Sequence, residues 1–254
     1  MSDSKPFGVR KTEDYFLSIA ATDPTGEAGV YKDIKIASYL DYNTIGVVTA
    51  LTVQNDERVF ANYPVDHHIL RQHLDIAITF PIKRVKIGAL GSVENALIIS
   101  DYLPYLKDAY TVWDPVFAPT EGVDFINKSD VRKIVENILP SIDIITPNYG
   151  ELQLILDKEN STFEETMQAA QEITKQYGIT IYLTGGHLLN ESGTFNEYYI
   201  APNEMVTIHR KRAQFPYGHG TGCTFSSALA CLSAASEVER CQLASDFVLK
   251  AYGI

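Results

Sequence analysis

The glycine-rich run GHGTGCT at residues 218–224 has the clearest potential for chemistry, and it directly precedes the apolar stretch FSSALACL. Glycines at Gly220 and Gly222 permit a tight turn in which successive backbone N–H groups point outward. Together with the positive end of the following helix dipole, these donors would form a cradle for an anion. The same helix terminus would stabilise a thiolate at Cys223, which could then act as a base. A turn that merely caps a core helix, with a small buried cysteine, is the structural alternative.

Two further polar segments are typical of turns between a strand and a helix. The first, ATDPTGEAG at residues 21–29, is rich in turn-forming residues and follows an apolar run. The second, TPNYGE at residues 146–151, places Asn148 and Glu151 three residues apart at a helix start, where both side chains can face one point. An amide and a carboxylate in that arrangement suit a hydrated magnesium ion. A capping box of Asn148 and Glu151 fits the same residues equally well.

The elements that position these segments alternate along the chain. Apolar runs of about five residues alternate with longer amphipathic stretches, which is typical of βαβ units and a mainly parallel sheet. Residues 197–200 and 206–209 alternate in polarity with no helix between them, which predicts an antiparallel hairpin at a sheet edge. We therefore predict one α/β domain over residues 1–254, a three-layer fold with helices on both faces of a mainly parallel central sheet. The predicted strands are 15–20, 45–51, 85–87, 111–113, 142–145 and 180–183, and the predicted helices are 28–40, 65–78, 93–106, 129–139, 162–177, 224–235 and 238–252.

Polar and glycine-rich residues follow the ends of four predicted strands. They are residues 22–29, Asp114, residues 146–148 and the Gly-Gly-His triplet at 185–187. Ligands of open α/β sheets bind beyond the carboxyl ends of the strands. The pattern therefore predicts a single active cleft at that edge of the sheet.

Composition excludes several classes of function. The chain has 254 residues with 21 Lys and Arg against 32 Asp and Glu, a formal net charge of −11. Non-specific binding to nucleic acid or to an anionic membrane surface is not expected at this charge, and an anionic ligand needs a local metal ion, helix terminus or cation. The cysteines Cys223, Cys231 and Cys241 form no C-x-x-C pair, so a zinc knuckle is not expected. With no secretory pattern at the N-terminus, we expect a reduced, cytoplasmic protein.

Seven segments in order resemble the hydroxymethylpyrimidine/phosphomethylpyrimidine kinases of thiamin biosynthesis, a family with the ribokinase-like fold. The segments lie between Leu17 and Ala235, nearly the whole chain, and a match to seven in order is specific. The resemblance implies a kinase that uses ATP and Mg²⁺, a small pyrimidine or pyridoxal-like acceptor, and a homodimer. The matching segments are SIAATDPTGEAGVYKDIKIASYL, TALTVQN, KIGALGS, WDPVFAPTEG, ITPNYGEL, YLTGGHL and HGTGCTFSSALA.

The resemblance also assigns roles to individual positions. Two residues, Asp33 and Gln54, match groups that can hydrogen-bond to the ring nitrogens and amino group of the acceptor, which an apolar pocket cannot do. The other positions implied to lie beside the acceptor are Val116, Ala28 and Ala89. The implied magnesium ligands are Asp114 and Glu151. The positions implied to lie beside the nucleotide or its phosphates are Asn148, Thr184, Thr221 and Arg212. The implied anion hole is Gly220 and Gly222, with Cys223 as the catalytic base.

The chain departs from the family pattern at positions that bear on substrate and rate. Thr184 stands where the family usually has lysine, which removes a cation beside the phosphates. Ala89 stands where methionine is common, so the pocket is expected to be wider, and pyridoxal kinase activity is the closest alternative. Ala21 and Glu27 replace two glycines of the first loop. Thr184 and Glu27 together make a non-catalytic ligand-binding relative a further alternative. A sugar kinase is disfavoured, because ribokinase-like sugar kinases generally have aspartate at the position of Cys223.

Overall fold

The computed structural model describes residues 13–119, 121–184, 194–211 and 220–252. The strands in these ranges are β1 (Tyr15–Ala20), β2 (Asn43–Val48), β3 (Ala50–Gln54), β4 (Val59–Pro64), β5 (Ile82–Ile87), β6 (Tyr110–Trp113), β7 (Ile144–Ile145), β8 (Thr180–Leu183), β9 (Thr194–Ala201) and β10 (Glu204–Lys211). The helices are α1 (Gly29–Tyr39), α2 (His67–Ala77), α3 (Val93–Tyr102), α4 (Lys128–Ile138), α5 (Tyr149–Leu156), α6 (Phe163–Tyr177), α7 (Thr221–Cys231) and α8 (Glu237–Ala251).

The central sheet has eight strands in the order β10-β9-β8-β7-β6-β5-β1-β2. In this sheet the neighbouring strands β8, β7, β6, β5, β1 and β2 are parallel to one another. Strand β9 pairs antiparallel with both β8 and β10. The mainly parallel sheet and the edge hairpin at residues 197–200 and 206–209 are therefore confirmed. Parallel strands need crossover connections, and the helices supply them.

Two hydrophobic cores lie on opposite faces of this sheet. One contains residues of α2, α3, α4, α5 and α6, and the other contains residues of α1, α7 and α8. Side chains alternate across a strand, so Phe16 of β1 packs into the second core while Leu17 and Ile19 pack into the first. The predicted three-layer fold is thus confirmed. None of the helices in the described ranges is long and apolar enough to cross a membrane.

The single strand predicted over residues 45–51 is divided in the structure: its first part belongs to β2, and its end belongs to β3, which forms a second antiparallel hairpin with β4. The chain leaves the central sheet at Thr49, whose N–H donates to the carbonyl of Ala20 at 3.0 Å and whose hydroxyl donates to the carbonyl of Ala89 at 2.6 Å. Strand β2 ends at Val48, and β3 then pairs with β4 in a separate two-stranded sheet. The continuous apolar run concealed this break, because both halves are β-forming.

Candidate active site

The loops that follow β1, β5, β6 and β7 lie side by side at one edge of the sheet. Backbone bonds join them: the N–H of Ala21 donates to the carbonyl of Ala89 at 3.1 Å, and the N–H of Thr146 donates to Trp113 at 2.9 Å. The N–H of Asp114 likewise donates to Ile87 at 2.8 Å. Among the described residues, the predicted convergence of polar loops is therefore present. The triplet at residues 185–187 lies outside the described ranges.

The N-terminus of α7 lies against the loop at residues 21–29. Gly220 precedes the helix with φ +78°, and a Cβ there would lie 1.7 Å from the carbonyl oxygen of Glu27. Gly29 has φ +60°, and a Cβ there would lie 2.3 Å from the carbonyl of Ala21. Only glycine permits both the backbone conformation and the close approach. A glycine N-cap also offers no side chain to the first N–H groups of the helix, which is the arrangement of an anion-binding terminus.

A buried ion cluster lies beneath this helix terminus. Lys86 of β5 is fully buried, and its Nζ lies 3.0 and 3.1 Å from the two carboxylate oxygens of Asp33. The same Nζ lies 3.8 Å from Oδ2 of Asp114. Burial by itself would lower the pKa of Lys86, but the neighbouring negative charges raise it above its ordinary value, so Lys86 is a cation.

The carboxylate of Asp33 lies among polar groups of the protein. Its side chain is fully buried, and besides the two contacts with Lys86 it accepts hydrogen bonds from Ser18 Oγ at 2.6 Å and Ser227 Oγ at 2.8 Å. A carboxylate has about four acceptor positions, and these partners fill them. Protein groups therefore occupy the acceptor positions of the Asp33 carboxylate in this structure, and its predicted contact with the acceptor stays a prediction.

Asp114 and Glu151 form the pair of carboxylates that could hold a divalent cation. Burial raises the pKa of Asp114 above its ordinary value, although Lys86 opposes the shift. Burial and the charge of Asp114 raise the pKa of Glu151 to about 8. Magnesium is bound by oxygen ligands, usually one or two carboxylates with waters and phosphates. A cation would offset the cost of burying these two carboxylates, so the residues present fit a magnesium ion.

The predicted capping box is confirmed at the start of α5. Asn148 Oδ1 accepts the N–H of Glu151 at 2.9 Å, and the N–H of Asn148 donates to Glu151 Oε2 at 2.8 Å. This pairing fixes the Glu151 carboxylate near Asp114. The capping and metal interpretations of the sequence are therefore compatible rather than exclusive.

Cys223 lies in the first turn of α7, close to the ion cluster. The charges of Lys86, Asp114 and Asp33 all act on its pKa, which places its thiol beside that cluster. Burial raises the pKa of the Cys223 thiol to about 12, and the charges of Asp114 and Asp33 add to the shift while Lys86 opposes it. Burial and the two carboxylates therefore favour the neutral thiol rather than the expected thiolate.

The other predicted residues lie in or beside the same edge. Ala28 precedes α1, Ala89 follows β5 and Val116 follows β6, all partly exposed, and partly exposed Gln54 ends β3. Thr221 and Gly222 form the first turn of α7. The Thr184 hydroxyl donates to the carbonyl of Pro147 at 3.2 Å, next to Asn148. Arg212 lies outside the described residues.

Sequence reasoning missed Lys86 and Ser226 as parts of the site. Ser226 Oγ donates to Asp114 Oδ2 at 2.9 Å and so ties α7 to the end of β6. Lys86 stands in the strand-like stretch RVKIGAL, where a buried lysine requires a buried partner. A charged residue within an apolar, strand-like stretch could therefore have indicated the role of Lys86. No comparable feature of the sequence indicated Ser226.

Fold and site together define a small-molecule kinase of the ribokinase-like class. The structure superimposes on phosphomethylpyrimidine kinase from Clostridium difficile 630 with a TM-score of 0.77 and 27% identity, covering 93% of this chain and 98% of that one. It also superimposes on pyridoxal kinase from Staphylococcus aureus in complex with ADP, with a TM-score of 0.83, 23% identity and coverage of 94% and 88%. The second likeness, at that identity, concerns the fold alone.

The chain belongs to the phosphomethylpyrimidine kinase family, whose model matches residues 23–252. A hydroxymethylpyrimidine/phosphomethylpyrimidine kinase from Aquifex aeolicus is 30% identical over 246 residues, which cover 92% of each chain. A second from Haemophilus influenzae is 31% identical over 221 residues, covering 86% of this chain and 81% of that one. The protein is accordingly a phosphotransferase.

Proposed function

We propose that the protein transfers a phosphoryl group from ATP to the hydroxymethyl group of 4-amino-5-hydroxymethyl-2-methylpyrimidine, with the monophosphate as a second acceptor, in thiamin biosynthesis. The observation that carries this proposal is the meeting of Cys223, Asp114 and the N-terminus of α7 in one cluster, within a chain of this family. The relatives named for this activity support the choice of acceptor.

Different residues of the site are proposed to bind the phosphoryl group and the metal ion. The N–H groups at Gly220, Thr221 and Gly222 would bind the transferring phosphoryl group, where phosphoryl-transfer catalysis mainly acts. Asp114 and Glu151 would hold Mg²⁺, which supplies positive charge to the phosphates when bound.

Cys223 would accept the proton of the acceptor alcohol. Only the thiolate form of Cys223 can take up this proton, and its raised pKa makes that form a small fraction at neutral pH, so the rate of this step should rise with pH. Asn148, Thr184 and Arg212 would lie beside the nucleotide.

The acceptor pocket is proposed around Gln54, Ala28, Val116 and Ala89. Because the Asp33 carboxylate is buried and bonded to protein groups, Gln54 is the side chain proposed to hydrogen-bond to the ring. A matched amide rejects a ring without the complementary group more strongly than an apolar contact does. The pyrimidine is therefore the expected preferred acceptor.

Pyridoxal is the second candidate acceptor, because the small Ala89 side chain is partly exposed at the site. The deciding experiment measures ATP consumption by the purified protein with the pyrimidine, with pyridoxal and with no acceptor. We expect the pyrimidine to have the higher kcat/KM and pyridoxal a weaker, measurable one. Ala89→Met should suppress the pyridoxal activity alone. A higher kcat/KM for pyridoxal in the unmodified protein contradicts the proposal, and no turnover with either acceptor favours a ligand-binding relative.

A homodimer in the cytoplasm completes the proposal. The β3–β4 hairpin exposes an apolar face whose side chains are each 52–60% exposed, and such patches mark interaction surfaces. These side chains are Leu51, Val53, Phe60 and Tyr63. Sedimentation of the unmodified protein should give a dimer, and Val53→Asp should shift it toward the monomer. A monomer in the unmodified protein would overturn this assignment.

A further inference from the structure

Lys86 is shared unequally between two carboxylates. Its Nζ lies 3.0 and 3.1 Å from the oxygens of Asp33 but 3.8 Å from the nearest oxygen of Asp114. We propose that Asp33 is a positioning residue that holds Lys86 away from Asp114, so that the Asp114 carboxylate stays available to the divalent cation. This inference rests on the proposed function, because it takes Asp114 as a metal ligand.

The structure fixes Asp33 from three separate elements. Ser18 of β1, Lys86 of β5 and Ser227 of α7 all donate to its carboxylate, which is carried by α1. Such a fully bonded carboxylate in the interior has little freedom to move. Asp33 therefore defines a stationary position for the ammonium group of Lys86.

Helix α7 sets the separation of the two carboxylates. Consecutive residues donate to them: Ser226 Oγ to Asp114 at 2.9 Å and Ser227 Oγ to Asp33 at 2.8 Å. The same helix begins at the proposed anion hole. If Lys86 changed its partner, the charge near the proposed metal position would change. The bonds from α7 would still hold the two carboxylates in place.

The charge of Asp33 determines which carboxylate Lys86 pairs with. Lys86 is fully buried and has the carboxylates of Asp33 and Asp114 as neighbours. Coulomb attraction in a protein interior rises steeply as the distance falls. If Asp33 lost its charge, Lys86 would turn to Asp114 and compete there with the divalent cation.

The test measures Mn²⁺ affinity of the full-length protein in the presence of ADP, by the loss of the electron paramagnetic resonance signal of free Mn²⁺. Asp33→Asn keeps the shape of the side chain, and its serine neighbours can accept hydrogen bonds as well as donate them. We expect Mn²⁺ binding at least tenfold weaker in Asp33→Asn. The double variant Asp33→Asn with Lys86→Met removes both charges, so its affinity should return to within twofold of the unmodified protein.

Ser227→Ala is the matched control, because it removes a bond to Asp33 without changing any charge. Its Mn²⁺ affinity should stay within twofold of the unmodified protein. Equal weakening in Asp33→Asn and in the double variant would overturn the inference, since it would indicate a packing role. If Asp33→Asn does not fold, weaker Mn²⁺ binding by the double variant alone has the same meaning.

Asp114→Asn separates the inference from the proposed function. If Asp114→Asn binds Mn²⁺ as well as the unmodified protein does, the proposed metal site is wrong and the inference falls with it. If Asp114→Asn loses Mn²⁺ binding while Asp33→Asn retains it in full, the metal site stands and only the role of Asp33 is wrong.

Discussion

Two buried charge clusters in this protein differ in their balance of charge. The site cluster, formed by Asp33, Lys86 and Asp114, places two carboxylates around one cation and lies next to Glu151. The edge cluster is formed by Glu197, Arg210, Tyr182 and Ser245 where β8, β9 and β10 meet α8. In it a single buried carboxylate accepts bonds from Tyr182 at 2.7 Å, Arg210 at 3.1 Å and Ser245 at 3.2 Å.

The difference in charge balance indicates which cluster a bound cation would stabilise. In the edge cluster the second acid beside Arg210 is Asp246, whose side chain is 49% exposed and so remains hydrated. Its buried charges therefore balance within the protein. The site cluster carries surplus negative charge in its interior, which is costly unless a cation offsets it. The edge cluster is paired within the protein, whereas the site cluster has a surplus that a bound cation would offset.

The largest expected effect comes from breaking the site at Cys223. Cys223→Ala should lower kcat for the first phosphorylation by about 100- to 10,000-fold, the usual contribution of a general base. The second phosphorylation should change much less, because a phosphate acceptor is already anionic. Separate assays with the alcohol and with its monophosphate measure the two steps.

Cys231→Ala is the matched control for that variant, since Cys231 ends the same helix and packs in the hydrophobic core. It should leave both steps unchanged. Equal losses in the two steps for Cys223→Ala would indicate packing rather than proton transfer.

Breaking the edge cluster should affect stability instead of activity. Arg210→Met leaves the Glu197 carboxylate buried without its cation, and should lower the free energy of unfolding by about 2–4 kcal/mol. Values at the lower end are expected because Arg210 is partly exposed. Urea denaturation measures the loss, and kcat/KM at low temperature should stay unchanged. Adding Glu197→Gln should restore most of the stability, and a large loss of kcat/KM would remove the distinction between the clusters.

Alkaline pH should test the two thiols that lie away from the site. Burial raises the pKa values of Cys231 and Cys241 above the ordinary 9.0. Above pH 9 the unfolded chain therefore loses protons that the folded protein keeps, so stability falls as pH rises. The slope should reach about 1.4 kcal/mol per pH unit for each thiol.

Urea denaturation between pH 8 and pH 10 measures that slope. Replacing both Cys231 and Cys241 by alanine should reduce it. An unchanged slope in the double variant would assign the alkaline loss to other groups.

The smallest expected effect concerns the missing cation beside the phosphates. Thr184→Lys adds positive charge next to Asn148 and should raise kcat/KM for ATP by up to about tenfold, equivalent to 1.4 kcal/mol of transition-state stabilisation. Thr184→Val removes the hydroxyl bond to Pro147 without adding charge, and should give no gain. No improvement in Thr184→Lys would mean that another cation already neutralises this position.

The sequence by itself determined the fold class and predicted which polar loops meet at one edge of the sheet. Alternating apolar and amphipathic runs predicted the mainly parallel sheet, and the edge hairpin was correct within a few residues. The glycine turn before α7 and the capping box at Asn148 were also predictable. All of these depend on backbone conformation and local spacing, which neighbouring residues decide.

Only the tertiary structure decided how the buried charges pair. Nothing in the sequence shows that Asp33 is bonded to Lys86, 53 residues away, or that Ser227 completes its partners from α7. The same applies to the break at Thr49, which depends on carbonyls of β1 and of the loop after β5. The energy of a buried charge is set by the groups within a few ångströms of it, and for Asp33 those groups come from distant parts of the chain.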